Sequence, residues 1–537
     1  MATFTRSNAW NQGGTFDNTD LLWYAKGVGA MQARALNDPS SWWFFAAIHG
    51  EYVTPLSLQD PQVFPWKNIP AQPTVPTTPL PSQDVADQYW DQCQHQSWYF
   101  PPWHRGYLLA LEAQVRADVI NLGGPSTWAL PYWNYFGPDG ESNIPPAFTQ
   151  QNLPDGSPNP LFVTARYGPD SDGNIYIPTP DVIKQHQNDP NLSPGPVTQD
   201  CMSNDLYTGN DDNTKPPGFG GPETGFSHGG GTSGNLENNP HNLVHVYVGG
   251  SSSDGQTPGL MSDPGLAGLD PIFYLHHANI DRMWAVWNGS PANTNPAVPN
   301  WLNGPAASGD REFVMPMPDG SSWVYTPQQM SDLSQLNYTY DSLPMPAPAP
   351  AVLSHRLTLL GATSAKAREA ATVTTGKNVE LVGANQEALP IKGSGARTTV
   401  RLNADVRRKV SASLAAAPET AAPDRVFLNL ENVRGTHDAS VLSVYVNLPA
   451  GAKPSDHPEL LAGSVGLFGL RGASFKDGKH GGVGLSFVLE ITNIIDALHL
   501  NNALNVDSLQ VTIVPHHAVP EQAQITIGRV SIYRQGR

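Results

Sequence analysis

The chain has 537 residues, 39% hydrophobic and only 14% charged. That composition excludes a disordered acidic tail and supplies core enough for two or three domains. A net charge of -17 argues against nucleic acid or an anionic membrane surface as partners, and two cysteines, Cys93 and Cys201, exclude a disulfide framework while leaving one bridge open.

Met1 to Arg6 lacks a basic segment followed by an apolar run, so no signal peptide is expected. No stretch of 18 or more apolar residues follows, so no membrane span is expected. The expectation is a soluble protein, cytoplasmic or secreted with its targeting segment absent from this chain. The 50 Gly and 51 Pro predict long, sharply turned loops.

Trp42, Trp43, Phe44 and Phe45 precede His49, and Trp98, Tyr99, Phe100 and Trp103 surround His95 and His104. Leu108, Leu109, Leu111, Val115 and Val119 recur at helical spacing, predicting a helix over Trp103 to Ile120. Residues 137 to about 235 are rich in Gly, Pro, Asn and Asp and read as loop. Pro240 to His245 and Pro271 to Trp287 each open on a proline, which the first turn of a helix tolerates, and both are predicted helical.

All 14 Trp lie at or before Trp323, and the run Leu343 to Pro350 (LPMPAPAP) reads as an extended linker. Beyond it, Leu442, Val444, Val446 and Leu448 alternate with Ser443, Tyr445 and Asn447. Leu509, Val511 and Ile513 do the same, and Ile525 to Ile532 suggests a last strand. The expected organisation is a mainly α region over 1–345, a linker and connecting region over 346–423 with room for a first strand or two, and a C-terminal β-sandwich over 424–537.

Any one of the 16 histidines is ordinarily a structural residue, so arrangement carries the argument. His241 and His245 are four apart, on one face of a helix, and can reach one ion. A zinc peptidase would need Glu where Asn242 stands. His276 and His277 point about 100° apart on a helix, so one is a ligand candidate and the other packs behind it. Asp281, four after His277, is placed to orient a ligand imidazole through its second nitrogen. His49, His95 and His104 make a second group in an aromatic wall. Two sets of three imidazoles suit copper, zinc, iron or nickel; zinc on three histidines is the plain alternative, and the aromatic surround favours a redox metal.

Asp270 to Trp284 (DPIFYLHHANIDRMW), Gly234 to His245, Pro102-Trp103-His104-Arg105, Leu130 to Asn134 and Tyr338-Thr339-Tyr340 resemble the type 3 copper proteins: tyrosinases, catechol oxidases and haemocyanins. The resemblance spans roughly 1 to 342 and implies a mainly α catalytic domain with a four-helix-bundle core and long loops. More loosely, Val441 to Pro449, Leu461 to Ser464 and Ile525 to Gly528 resemble the C-terminal β-domain of plant polyphenol oxidases.

The resemblance implies two copper ions with O2 as co-substrate and small phenolic substrates. One copper would be held by His49, His95 and His104, the other by His241, His245 and His277, with His276 outside the ligand set. Cys93, two before His95, matches family members in which a thioether joins that pair. Glu237 and Asn242 match residues thought to hold a water that takes the phenol proton. They favour a tyrosinase over a catechol oxidase without monophenolase activity; an oxygen carrier and a zinc hydrolase are the remaining readings. Pro264 stands where plant members often place a bulky Phe over the first copper, implying a more open site. Leu467 and Phe468, in a Gly-rich segment, are the expected plugs if the C-terminal domain makes the enzyme latent.

Overall fold

The computed structural model describes residues 4–70, 72–138, 140–185, 195–209, 217–227, 229, 231–344, 379–416, 424–476, 481–505 and 507–536. The boundary expected near 345 lies outside the described residues. Among them, no helix is long and apolar enough to cross a membrane.

The first region is helical with long loops. Helix α1 spans Thr19–Gln32, and α2 spans Trp42–His49, where Ser41 Oγ accepts from Phe44 N at 3.0 Å and opens the first turn. Helix α3 is Phe100–Asn121, with prolines in its first turn, where their missing N–H groups cost nothing. Helix α4 is Leu243–Gly249 and α5 is Ile272–Asn288. The stretch read as loop over 137 to about 235 holds, among its described residues, only short elements. Pro240 does not start the helix as expected. It lies inside a π-helical turn, Glu237–Asn242, whose Asn239 is extended (φ -147°) before α4 begins.

Nine Trp side chains are among the largest fully buried groups, all of them in this region's core. Asp281 on α5 is a charged hub inside it. Its carboxylate accepts from Arg105 Nε, from Arg6 Nη1 at 3.1 Å, from Tyr338 OH at 2.6 Å and from Tyr340 OH. Phe4–Arg6 pairs in parallel with Tyr338–Tyr340, so this hub joins both ends of the helical region to α5. The expectation that Asp281 would orient His277 is therefore corrected: two guanidinium groups are stronger partners for a buried carboxylate than a neutral imidazole.

The C-terminal region is a sheet. Strand β1, Gly231–Thr232, comes from the helical region. The others are β2 (Val379–Ala384), β3 (Ala396–Leu402), β4 (Arg425–Arg434), β5 (Val441–Val446), β6 (Leu461–Gly466), β7 (Leu485–Glu490), β8 (Ser508–Pro515) and β9 (Thr526–Gln535). They follow one hydrogen-bonded path, β6-β5-β8-β3-β2-β9-β4-β7-β1, with Leu389–Pro390 attached to β9. Two separate facing sheets were expected; instead one sheet curls on itself. A Cβ on Gly463 of β6 would lie 3.1 Å from the Leu489 side chain of β7, so strands far apart along the path meet across one apolar core. The sheet includes strands from the connecting segment, as its room for a first strand or two allows. β2, β3 and the helix Ala404–Ala416 fall inside the segment read as linker and connection, because pairing with β8 and β9 gives those strands partners that their own sequence does not announce.

Candidate metal centre

Four helices deliver imidazoles to one buried point. His49 ends α2, His104 stands on the first turns of α3, His241 and His245 flank the start of α4, and His276 and His277 lie on α5. His95 comes from a loop pinned by its own N–H to Ser227 O at 3.0 Å and by Ser227 Oγ to His95 O at 2.9 Å. His49, Cys93, His95 and His104 form one group whose potential ligand atoms all lie within 4.8 Å of one another; His241, His245, His276 and His277 form a second. The His104 and His277 rings stack at 4.3 Å, so the two groups adjoin.

Tautomers follow from the partners. His49 Nδ1 faces Pro264 O at 2.9 Å, His104 Nδ1 faces Phe100 O at 2.9 Å, and His245 Nδ1 faces Met261 O at 2.7 Å. His241 Nδ1 faces Asn242 Oδ1 at 2.8 Å. A carbonyl oxygen only accepts, so each Nδ1 carries the proton and each Nε2 presents its lone pair inward. His277 Nε2 lies 3.2 Å from His241 Nε2 and 3.3 Å from His245 Nε2. Ligand nitrogens bound at about 2.0 Å to one tetrahedral ion are roughly 3.3 Å apart, so these three already stand at ligand spacing. His276 lies beside them, its ring 5.3 Å from His241 and 5.8 Å from Tyr135.

Burial pushes the His104, His241, His245, His276 and His277 imidazoles well below the usual histidine range, and their mutual repulsion adds to it. They are neutral, as ligands must be. Phe273 packs 4.2 Å from His277 and 4.7 Å from His49; Phe100 packs 4.5 Å from His104 and 4.6 Å from His241. The wall is therefore dry. Among the described residues no carboxylate enters either group, and the donor set fits a nitrogen-preferring metal pair.

Cys93 Sγ lies 3.4 Å from His95 Nδ1 and 3.6 Å from His95 Nε2, nearly equidistant from both. No disulfide joins Cys93 and Cys201. Glu237 is fully buried and accepts from Gln96 N at 2.9 Å. Burial pushes its carboxyl up to about 8, against hydrogen bonds from Gln96, Ser233 and Gly234. Asn242 Nδ2 reaches Ser233 Oγ at 3.5 Å, so Ser233 links Glu237 to Asn242 and through it to His241.

The C-terminal region closes the site. The Phe468 ring stacks on His245 at 4.1 Å and meets His95 and His241 edge-on at 5.5 and 5.8 Å. Phe468 belongs to the helical region's core, whereas Leu467, the other expected plug, packs in the sheet's own core. Gly466 allows the approach: a Cβ there would lie 2.9 Å from Asn242 O. Arg471, on the short helix Leu470–Ser474, pairs with Asp263 next to Pro264, with Gln62 O, and with Asp438 at 3.0 Å. The openness expected from Pro264 is thus absent in the intact chain. Sequence reasoning did not find Ser233, Gln96 or the carbonyls of Pro264 and Met261; backbone acceptors leave no residue-type signal.

Residues 39–290 match the family model described as the common central domain of tyrosinase, and 378–535 match a domain of unknown function (DUF7868). A tyrosinase, HcTyr1 of Hahella sp. (strain CCB-MM4), is 30% identical over 535 residues, covering 99% of both chains. The latent chloroplastic polyphenol oxidase of Prunus armeniaca is 34% identical over 209 residues, 36% of this chain and 30% of that one. The structure of latent apple tyrosinase has the same fold over 99% of this chain and 98% of that one (TM-score 0.58, 21% identity). Since the likeness to HcTyr1 runs from end to end and the two histidine groups fit a copper pair, the chain belongs to the tyrosinase and polyphenol oxidase family, a type 3 copper oxidoreductase with a C-terminal domain.

Proposed function

We propose that this enzyme is a tyrosinase: it hydroxylates monophenols beside their oxygen and oxidises o-diphenols to o-quinones with O2. One copper is held by His49, His95 and His104 and the other by His241, His245 and His277, with His276 behind them. The observation that carries the pairing is the 3.2 and 3.3 Å convergence on His277 Nε2 beside a second imidazole group. When bound, the copper pair supplies the redox chemistry with O2.

The chain's own residues do the rest. Phe273 and Phe100 keep the pocket dry and apolar, which suits an aromatic ring. A phenol titrates near pH 10, so hydroxylation needs a base beside it. Glu237 and Asn242 flank Ser233, where a water between them would accept the phenol proton and pass it to Glu237. A neighbouring cation favours the carboxylate form that this role requires. Cys93 is placed to form a thioether with His95, since near-equidistance from both ring nitrogens is the relation that bonding to the carbon between them requires. Intact mass tests it, as the link removes two hydrogens.

Phe468 on His245 supports latency of the intact chain, with the C-terminal domain occupying the substrate's place. The same cover would suit an oxygen carrier. Copper-loaded protein, intact and after cutting the chain near residue 345, is given tyrosine and, separately, catechol. Colour from both substrates after cutting supports the tyrosinase reading. Colour from catechol alone makes it a catechol oxidase, and colour from neither supports the carrier.

A further inference from the structure

A second cluster of metal-ligating side chains lies away from the histidine centre, on the seam between the two regions. Asp170 comes from a loop of the helical region. His516 and His517 follow Pro515, the last residue of β8. Each offers a ligand atom, and all three atoms lie within 4.8 Å of one another. Asp170 Oδ1 is 3.5 Å from His516 Nε2 and 3.8 Å from His517 Nε2. Ligands on one tetrahedral ion stand roughly 3.3 Å apart, so a contraction of a few tenths of an ångström brings both pairs into place.

The cluster is built rather than loosely gathered. Asp170 Oδ2 accepts from Tyr176 OH at 2.9 Å, which turns Oδ1 toward the imidazoles. The His516 side chain is only 7% exposed, its backbone N–H donates to Val441 O at 3.0 Å, and its ring stands edge-on to Tyr247 at 6.0 Å. Asp170 Oδ1 and His516 Nε2 are buried atoms that have only each other, across 3.5 Å, which is long for a hydrogen bond. Two such atoms facing one another are costly unless something sits between them.

His517 is 55% exposed and gives solvent access. Its Nε2 donates to Pro169 O at 2.5 Å, so binding an ion requires this exposed ring to swing off that carbonyl and give up the proton. Two imidazoles and one carboxylate are a donor set that suits zinc and its neighbours and leaves a fourth position for water.

We propose that Asp170, His516 and His517 form a third metal site, one that takes a borderline divalent cation such as Zn2+ and ties the C-terminal sheet to the helical region. Tyr247, against which His516 packs, lies on α4 two residues after His245. The clamp therefore grips the helix whose other side Phe468 covers.

The test uses full-length protein carrying its copper pair. It is titrated with Zn2+, freed of excess, and its metals are counted per chain by elemental analysis. The expected result is one zinc added with both coppers retained, and a melting temperature that rises with zinc concentration, as for any ligand that binds only the folded state. His517→Ala, at a half-exposed position, and Asp170→Asn should each keep the coppers and lose the zinc equivalent and the thermal shift. Co2+ in place of Zn2+ should give a tetrahedral d–d absorption that both variants lack. No zinc bound by the wild-type chain, or zinc retained by either variant, would overturn the site.

Discussion

Asn242 serves two neighbours with one side chain: its oxygen fixes the His241 tautomer and its nitrogen reaches Ser233. Asn242→Ala should lower copper affinity about 10- to 100-fold, as removal of a ligand's supporting partner does. It should also slow tyrosine turnover more than catechol turnover. An unchanged ratio of the two rates at saturating copper would remove the proton-relay role. Glu237 carries a pH signature in the metal-free protein. Its folded carboxyl titrates at about 8, above the ordinary 4.5, so the folded state binds the extra proton between those values and stability falls as pH rises through them. The buried neutral imidazoles act oppositely, losing stability as pH drops below about 6.5. From pH 6.5 to 8 the carboxyl therefore dominates, at up to about 1.4 kcal/mol per pH unit. Urea unfolding of Glu237→Gln should show that slope flattened. The ligand candidates were legible because i,i+4 spacing and an aromatic surround are written in the sequence. Asp281 was misread because the same spacing gives proximity without choosing a partner, and Arg6 and Arg105 arrive from segments far away in the chain.

At the scale of elements, α3 and α5 were legible from their 3.6-residue period and entry prolines, and β5, β8 and β9 from alternation or apolar runs. β2 and β3 were not. In β3 only Val400 is fully buried, so half-exposed Thr and Arg positions hide the pattern that pairing imposes. The π-helical turn around Pro240 was equally silent, although His241 still reaches His277 from it. The hub on α5 makes a clear prediction. Asp281→Asn leaves Arg6 and Arg105 buried with less opposing charge, and losing one member of a buried ion pair costs about 3–5 kcal/mol. Chemical denaturation should show that loss, whereas Asp341→Asn, on an exposed residue of the same corner, should cost under about 1 kcal/mol.

For the molecule as a whole, what the sheet region does to the helical region depends on few contacts. Phe468 stacks on His245, and Arg471 anchors the turn behind it on Asp263. A stacked aromatic pair is worth about 0.5–1.5 kcal/mol, so Phe468→Ala in the intact chain should raise catechol oxidation several-fold, up to about tenfold. A rate no higher than wild type would show that the cover rests on the rest of the interface. The sequence pointed to the Gly-rich segment but did not distinguish Phe468 from Leu467. Only the crossing of β6 past Asn242 decides which side chain enters which core.

The pairing of Gly231 and Thr232 with Leu485 and Ser486 reaches beyond shape. The last strand of the sheet is lent by the helical region, just ahead of the segment that bears Glu237 and His241. If the sheet region departs, β7 is left with a bare row of amide and carbonyl groups, a template that other chains can join. A released sheet would thus be prone to aggregate, and the two halves of a cut chain have reason to stay together until something replaces that borrowed strand.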